Sequence, residues 1–381
     1  MFDDKLKFFG TRIAAIIAGK DLARDEAKDM FRQVLLNEQP DLQQGAFLIA
    51  LTAKGETAEE IAGAWEAIYE LDTEKVSPIV PSPLVENCGT GMDSFKTFNI
   101  STAAAVVAAA GGIYLAKHGA RALTSTCGAI DILEAVGVDV ECDLDIVKHS
   151  IEKVGIGIFN GMSPKVHPQA LFRILSQIHF GTTLNIAGSL ANPALPRYGV
   201  RGVYSKYLVE PVAQAMKEIG YIKALVVYGG NGDGIKGMDE ISTLGETVIA
   251  ELSDSGEITT YTIRPEDFGL QHPGEHALRP CADRKEEALG FLRILTGYDR
   301  GSRYEITCLN AAPIFYLMGQ AKGLGEGFIL AQDIIQSGRA IAKLREWVRA
   351  QNSSPENGLR KLDCLLAEID APREEVKDVE I

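Results

Sequence analysis

"ENCGTGMDSFKTFNIST", Glu86–Thr102, decides how this chain reads. A short apolar approach ends in a glycine turn, Gly89-Thr90-Gly91, and the run AAAVVAAAGG follows directly after Thr102. Glycine lets backbone N–H groups come close to a ligand. A helix starting at Asn99 leaves its first N–H groups unpaired and carries partial positive charge there. Ser101 and Thr102 add hydroxyls. Strand, glycine turn and helix start together suit a phosphate or diphosphate. Taken alone, the stretch also reads as a plain glycine turn with a hydroxyl cap.

The next strand-like run leads into "LAKHGARALTSTCGAID", Leu115–Asp131. Lys117, His118 and Arg121 cluster where it ends, at the sheet edge where α/β proteins gather their ligands, and would face the same anion. Further on, "GGNGDGIKGMDEIS" places five glycines around the acids Asp239 and Glu240. Adjacent carboxylates on such a loop suit magnesium carried by phosphate groups. A solvated hairpin tip reads equally from these residues alone.

Around these motifs the chain has two textures. Residues 1–75 carry helical spacing, with Phe9, Ile13 and Ile16 on one stripe and Ile61, Trp65 and Ile68 on another. Asp21 is expected to cap the run that follows it, and Thr57 with Glu60 forms a capping box. Three prolines in residues 76–85 mark a linker. From about residue 80 to 350, short apolar runs such as GIYLA, GVRGVY and ALVVYGG alternate with helical stretches, an α/β rhythm. "TVIAELSDSGEITTYTI" reads as a hairpin turning at Ser255-Gly256. Residues 351–381 read as a charged tail, part helical and part loose.

The formal net charge of −14 argues against a broad nucleic-acid or anionic-membrane surface. Six scattered cysteines without a CxxC pair fit a reducing, cytoplasmic setting rather than disulfides or zinc. No apolar run is long enough to span a bilayer.

Three motifs in this order resemble the anthranilate phosphoribosyltransferase family: GTGMD…NIST at 89–102, KHGAR at 117–121 and MDEIS at 238–242. "KGETAEEIAG", "LNIAGSLANPA" and "SGRAIAKL" are similar to its further segments, so the likeness runs from residue 1 to about 350. The resemblance implies a nucleoside phosphorylase-like architecture. A small N-terminal helical domain (1–75, with a returning segment near 165–190) would pack on a larger α/β domain (80–350) with a central, mainly parallel sheet. Phosphoribosyl pyrophosphate (PRPP) and Mg²⁺ would bind in the α/β domain, an aromatic amine toward the helical domain, and two copies would join through the helical domain. Carried over position by position, Gly89, Thr90, Gly91 and Asp93 hold the diphosphate, with Thr97, Asn99, Ser101 and Thr102 beside it. Lys117, His118, Gly119, Arg121 and Ser125 line the phosphoribosyl side. Ser101, Asp239 and Glu240 match the metal ligands.

The acceptor side departs from the family pattern. Its pocket maps onto Gly89, His118, Ala120, His167, Arg173, Leu175 and Ser189. Ala120 stands for the family's Asn, Ser189 for a proline, and Leu175 or Gln177 for the arginine that meets the anthranilate carboxylate. Neither is cationic; Arg173 or His179 would have to compensate. Met92 replaces the second glycine of GTGGD. These departures favour PRPP-dependent transfer to an aromatic or heteroaromatic amine without an ortho-carboxylate. The alternatives are ordinary anthranilate transfer in tryptophan biosynthesis, a non-catalytic PRPP- or nucleic-acid-binding paralogue, and a nucleoside phosphorylase.

Overall fold

The computed structural model describes residues 2–122 and 126–370. The chain opens with four helices, α1 (Phe2–Ile17), α2 (Arg24–Leu35), α3 (Asp41–Lys54) and α4 (Ala58–Leu71). Their apolar stripes meet in one core, where Phe47 packs edge-on against both Phe9 and Phe31. α4 is capped as its sequence requires: the Glu60 N–H donates to Thr57 Oγ1, and the Thr57 N–H donates to the Glu60 carboxylate. Asp21 is not a cap. Leu22 turns into the core and its N–H donates to Glu60 at 2.9 Å, so α2 starts only at Arg24, while Asp21 accepts from Lys54 at 2.7 Å.

The larger part follows in chain order. β1 (Val85–Gly89), α5 (Ile100–Ala110), β2 (Leu115–Gly119), α6 (Ala129–Ala135), α7 (Leu144–Val154) and β3 (Ile156–Asn160) form the first half. The chain then returns to the helical bundle as α8 (Leu171–Leu175) and α9 (Thr183–Leu190), whose Leu171, Ile174 and Leu184 join the bundle core. β4 (Tyr198–Gly202), α10 (Val209–Glu218), β5 (Lys223–Gly230), β6 (Gly237–Met238), β7 (Thr247–Leu252) and β8 (Ile258–Ile263) complete the sheet. Five helices close the described chain: α11 (Arg284–Leu295), α12 (Ser302–Leu317), α13 (Leu324–Gln336), α14 (Arg339–Ala350) and α15 (Pro355–Asp370).

The sheet order is β3-β2-β1-β4-β5-β7-β8, with β6 also paired to β5. β3, β2, β1, β4 and β5 run parallel; β6, β7 and β8 are antiparallel. β7 and β8 are the expected hairpin, turning through Gly256 at φ +80°. Helices cover the parallel strands, which explains their continuous burial: every residue of β3 is inside. The small residues of α5 let it sit close beneath α12 and α14, with Ala103–Ala109 all buried. The fold is therefore a helical bundle domain beside a larger α/β domain with a mainly parallel sheet. α15 belongs to the core: Leu359, Leu362 and Ile369 are buried with α14 and α11. Residues 371–381 lie outside the described residues.

Candidate active site

The parallel strands deliver their C-terminal ends to one cleft, lined by the β1 and β2 ends, the start of α5, the 117–122 loop, α8, α9 and the acid pair after β6. Gly89, Thr90, Gly91, Asp93, Thr97, Asn99, Ser101, Lys117, His118, Gly119, Ala120, Arg121, Leu175, Ser189, Asp239 and Glu240 all line it.

At one end, backbone donors meet carboxylates. The Gly91 N–H donates to Asp239 Oδ2 at 2.8 Å, and the Ser101 N–H, in the first turn of α5, donates to Glu240 Oε1 at 3.0 Å. The acid pair therefore covers the two donors that the sequence assigns to an anion. Glycine is required where Asp239 crosses the strand ends: a Cβ on Gly89 would lie 2.0 Å from Asp239 Oδ2, and one on Gly202 1.6 Å from Asp239 O. Asn310 of α12 grips the next residue on both sides. It donates to Ile241 O at 2.8 Å and accepts from Ile241 N at 2.8 Å, which fixes where the pair points. Gly91 has φ +66° and Met92 φ +62°, so Met92 holds the left-handed conformation that its family counterpart meets with glycine.

Charge is crowded here. Burial and the neighbouring Asp239 push Asp93 up to about 7, against the pull of Lys96, which donates to it at 2.8 Å. Burial and Asp239 push Glu240 up to about 8, and burial raises Asp239 as well. Lys117 is almost wholly buried and donates to Asn87 O at 2.9 Å; burial lowers its pKa. Arg121 is held by Glu134 at 2.9 Å, by Glu141 at 3.0 Å and by Asp131 at 3.3 Å. Asp131 also accepts from the N–H groups of Ala122 and Gly128.

The other end of the cleft is apolar, walled by Met162, Leu171, Leu175 and Leu184. Asn185, Ser189 and His118 are polar residues there, and His118 Nε2 lies 3.2 Å from Nε2 of His167 behind it. His167 Nδ1 faces the Asp72 carbonyl at 2.5 Å and must donate to it. In the neutral pair His118 Nε2–H then donates to His167, while His118 Nδ1 lies 3.4 Å from the Ser189 carbonyl oxygen. Burial and His167 hold His118 down at about 3, so the ring is neutral across the physiological range.

Several expected side chains fall elsewhere. Thr102 points into the core from α5, its Oγ1 without a partner among the described residues. His167 stands behind His118, outside the cleft lining. Arg173 turns to the helical bundle and donates to Val34 O at 2.9 Å and Gln44 Oε1 at 3.3 Å, so it cannot serve the acceptor end. Gln177 and His179 are exposed beyond the lining. Ser125 lies outside the described residues. Lys96, Asn185, Asn310 and Asp131 were not anticipated. Only Lys96 had a visible signal, a cation three residues after Asp93 in the motif itself.

The whole arrangement has known counterparts. Residues 81–341 match the family model "Glycosyl transferase family, a/b domain" and residues 12–71 match "Glycosyl transferase family, helical bundle domain". Fold and cleft thus define a glycosyltransferase of the pentosyl-transferring class. The chain is 38% identical over 340 residues to the anthranilate phosphoribosyltransferase of Persephonella marina, covering 88% of this chain and 97% of that one. It is 39% identical over 331 residues to the Methanosarcina acetivorans enzyme, covering 86% of each. The Thermus thermophilus structure of that enzyme superposes with TM-score 0.79 at 32% identity, over 89% of this chain and 98% of the other. The Saccharomyces cerevisiae enzyme in complex with PRPP and Mg gives 0.77 at 25% identity, over 91% and 99%. The chain belongs to the anthranilate phosphoribosyltransferase family. No helix among the described residues is long and apolar enough to cross a membrane.

Proposed function

We propose that the chain transfers the 5-phosphoribosyl group of PRPP to anthranilate, with Mg²⁺. The observation that carries this reading is identity of 38% sustained along 97% of a curated anthranilate phosphoribosyltransferase, together with the donor cradle at Gly91 and Ser101. It replaces the amine without a carboxylate that the acceptor motifs favour by themselves. The test is the loss of anthranilate fluorescence with PRPP and Mg²⁺, with product and diphosphate quantified.

No group of three or more His, Cys, Asp or Glu among the described residues is arranged to hold a metal unaided. Asp239 and Glu240 nevertheless fit a magnesium that arrives with diphosphate: they are hard oxygen donors whose burial disfavours their own charge, which a cation relieves. Bound magnesium would neutralise charge growing on the departing diphosphate. Asp239 and Glu240 would hold it, and the Gly91 and Ser101 N–H groups that they now cover would then be open to the diphosphate. Lys117 and Arg121 supply positive charge along the phosphoribosyl side. The amine attacks C1 of the ribose, the C1–O bond to diphosphate breaks, and the amine proton leaves late. Placement and electrostatics do most of the work.

A second reading retains one specific support: no cation from the described residues lines the apolar end, where an ortho-carboxylate would lie. In that reading the acceptor is an aromatic amine without the carboxylate, and aniline-type amines would outrun anthranilate in the same assay.

We further propose a homodimer through the helical domain. Phe8, Ile17, Leu42 and Ile49 of α1 and α3 are exposed apolar side chains on that domain. Light scattering on the eluting protein gives the mass directly.

A further inference from the structure

Beneath the cleft floor lies a buried ion network that neither the motifs nor the mechanism uses. Arg201 of β4 and Glu86 of β1 are both fully buried and paired. Glu86 also accepts from Tyr221 Oη at 2.5 Å and from Asn192 Nδ2 at 3.0 Å, so the carboxylate is well satisfied. The guanidinium is not: Arg201 Nε and Nη1 have no partner among the described residues. Unmade bonds from a buried cation are costly, and a ligand that offers negative charge relieves them.

The register shows where the two residues are anchored. Arg201 sits beside Cys88, and Gly199 beside Glu86. Arg201 is thus anchored two residues nearer the strand ends than Glu86, roughly 6.6 Å along the sheet. On the register that pairs Val85 with Leu115, His118 falls on the other side of Cys88. His118, Cys88 and Arg201 form one row on one face of the sheet, and the first two line the cleft. The row runs under the acceptor end, where no cation from the described residues lines the wall.

We propose that Arg201 is the acceptor-selecting cation of this enzyme, a positioning residue that acts across Cys88 to favour an aromatic amine bearing a carboxylate. This rests on the proposed phosphoribosyl transfer to an aromatic amine and names what the acceptor must carry. It also accounts for a family member whose acceptor wall has lost the usual arginine: the charge has moved from the wall to beneath the floor. Burial works against the Arg201 charge, but Glu86 keeps its pKa above the ordinary arginine value, so the cation is permanent.

The experiment compares anthranilate with aniline in the unaltered protein, in Arg201→Met/Glu86→Gln, in Arg201→Lys and in Glu86→Gln. The double variant removes both charges while leaving an amide oxygen for Tyr221 and Asn192. We expect kcat/KM for anthranilate to fall about 10-fold or more in the double variant, with aniline changed less than about 2-fold. The PRPP Kd by calorimetry with Mg²⁺ should stay within about 2-fold, and Arg201→Lys should restore most of the anthranilate preference. Glu86→Gln alone, which unmasks the cation, should raise that preference. If the double variant fails to fold, the Glu86→Gln ratio decides, and an unchanged ratio overturns the proposal. Equal losses for both amines, or unimpaired anthranilate use in a folded double variant, also overturn it. If the unaltered protein turns over neither amine, the transfer reading fails separately. Benzoate binding to the PRPP–Mg²⁺ complex then decides Arg201: about 10-fold weaker binding in the double variant upholds it and equal binding overturns it.

Discussion

The two ends of the cleft are built from different materials. The anion end is backbone and acid: Gly91 and Ser101 present N–H groups, and Asp239 and Glu240 accept from them. The apolar end is side chain: leucines, a methionine and a neutral His118 backed by His167. Backbone donors tolerate few substitutions, since any Cβ at Gly89 or Gly202 collides with Asp239. A wall of side chains can exchange one residue at a time, and this chain has changed Ala120, Leu175 and Ser189 from the family pattern while keeping its anion end. Only Met92 breaks the pattern there.

The largest expected effect strikes the anion end. Asp239→Asn/Glu240→Gln should lower turnover on the order of 100-fold or more, the scale of removing fixed charge stabilisation. The same change should raise the melting temperature of the ligand-free protein. Glu240 and Asp93 have folded pKa values above the ordinary carboxylate range, at about 8 and about 7. Their protonated forms are favoured by folding. The stability this gives is full below the unfolded carboxylate pKa and is lost as pH rises through about 8. Melting curves from pH 5 to 9 should therefore decline for the ligand-free protein, and decline less for the double variant. A flat curve for the unaltered protein contradicts the crowded-acid picture.

Lys117→Ala comes next. Losing a charged hydrogen-bond donor at the phosphoribosyl side should weaken PRPP binding by about 1.5–3 kcal/mol. Calorimetry reads this directly, and an unchanged Kd moves Lys117 out of the anion end.

At the acceptor end, Leu175→Arg restores a cation to the wall. The anthranilate-to-aniline ratio of kcat/KM should rise about 10-fold, the worth of one charged contact at a partly open site. No change in the ratio would place the acceptor's carboxylate elsewhere.

The smallest effect concerns Met92. Its left-handed backbone costs about 1–2 kcal/mol relative to glycine, so Met92→Gly should raise stability by up to that amount after glycine's own entropy cost is subtracted. PRPP affinity should change little. A destabilised variant would show that packing of the Met92 side chain outweighs its strain.

The anion end was legible in the sequence because its chemistry is local. GTGMD…NIST and KHGAR are contiguous stretches, and every residue expected there lines the cleft except Thr102, whose helical phase turns it inward, and Ser125, outside the described residues. The acceptor end was not legible in the same way, because it depends on how α8 and α9 return to the bundle. Arg173 was a candidate by sequence distance, but a helix of five residues aims it at Val34 and Gln44 instead. His167 was expected in the cleft but stands behind His118, outside the lining. The Arg201–Glu86 pair had no sequence signal, since it exists only in the register between β1 and β4. Asp21 shows the same limit on a smaller scale: its cap role gave way to a long-range bond from Leu22 to Glu60.

Anthranilate consumption by the unaltered protein, followed by fluorescence with PRPP and Mg²⁺ each supplied or withheld, decides whether the transfer takes place. The account predicts fluorescence loss only when all three are present, with stoichiometric diphosphate and a phosphoribosylated amine recovered. PRPP left intact with anthranilate, and with every other aromatic amine offered, would contradict it.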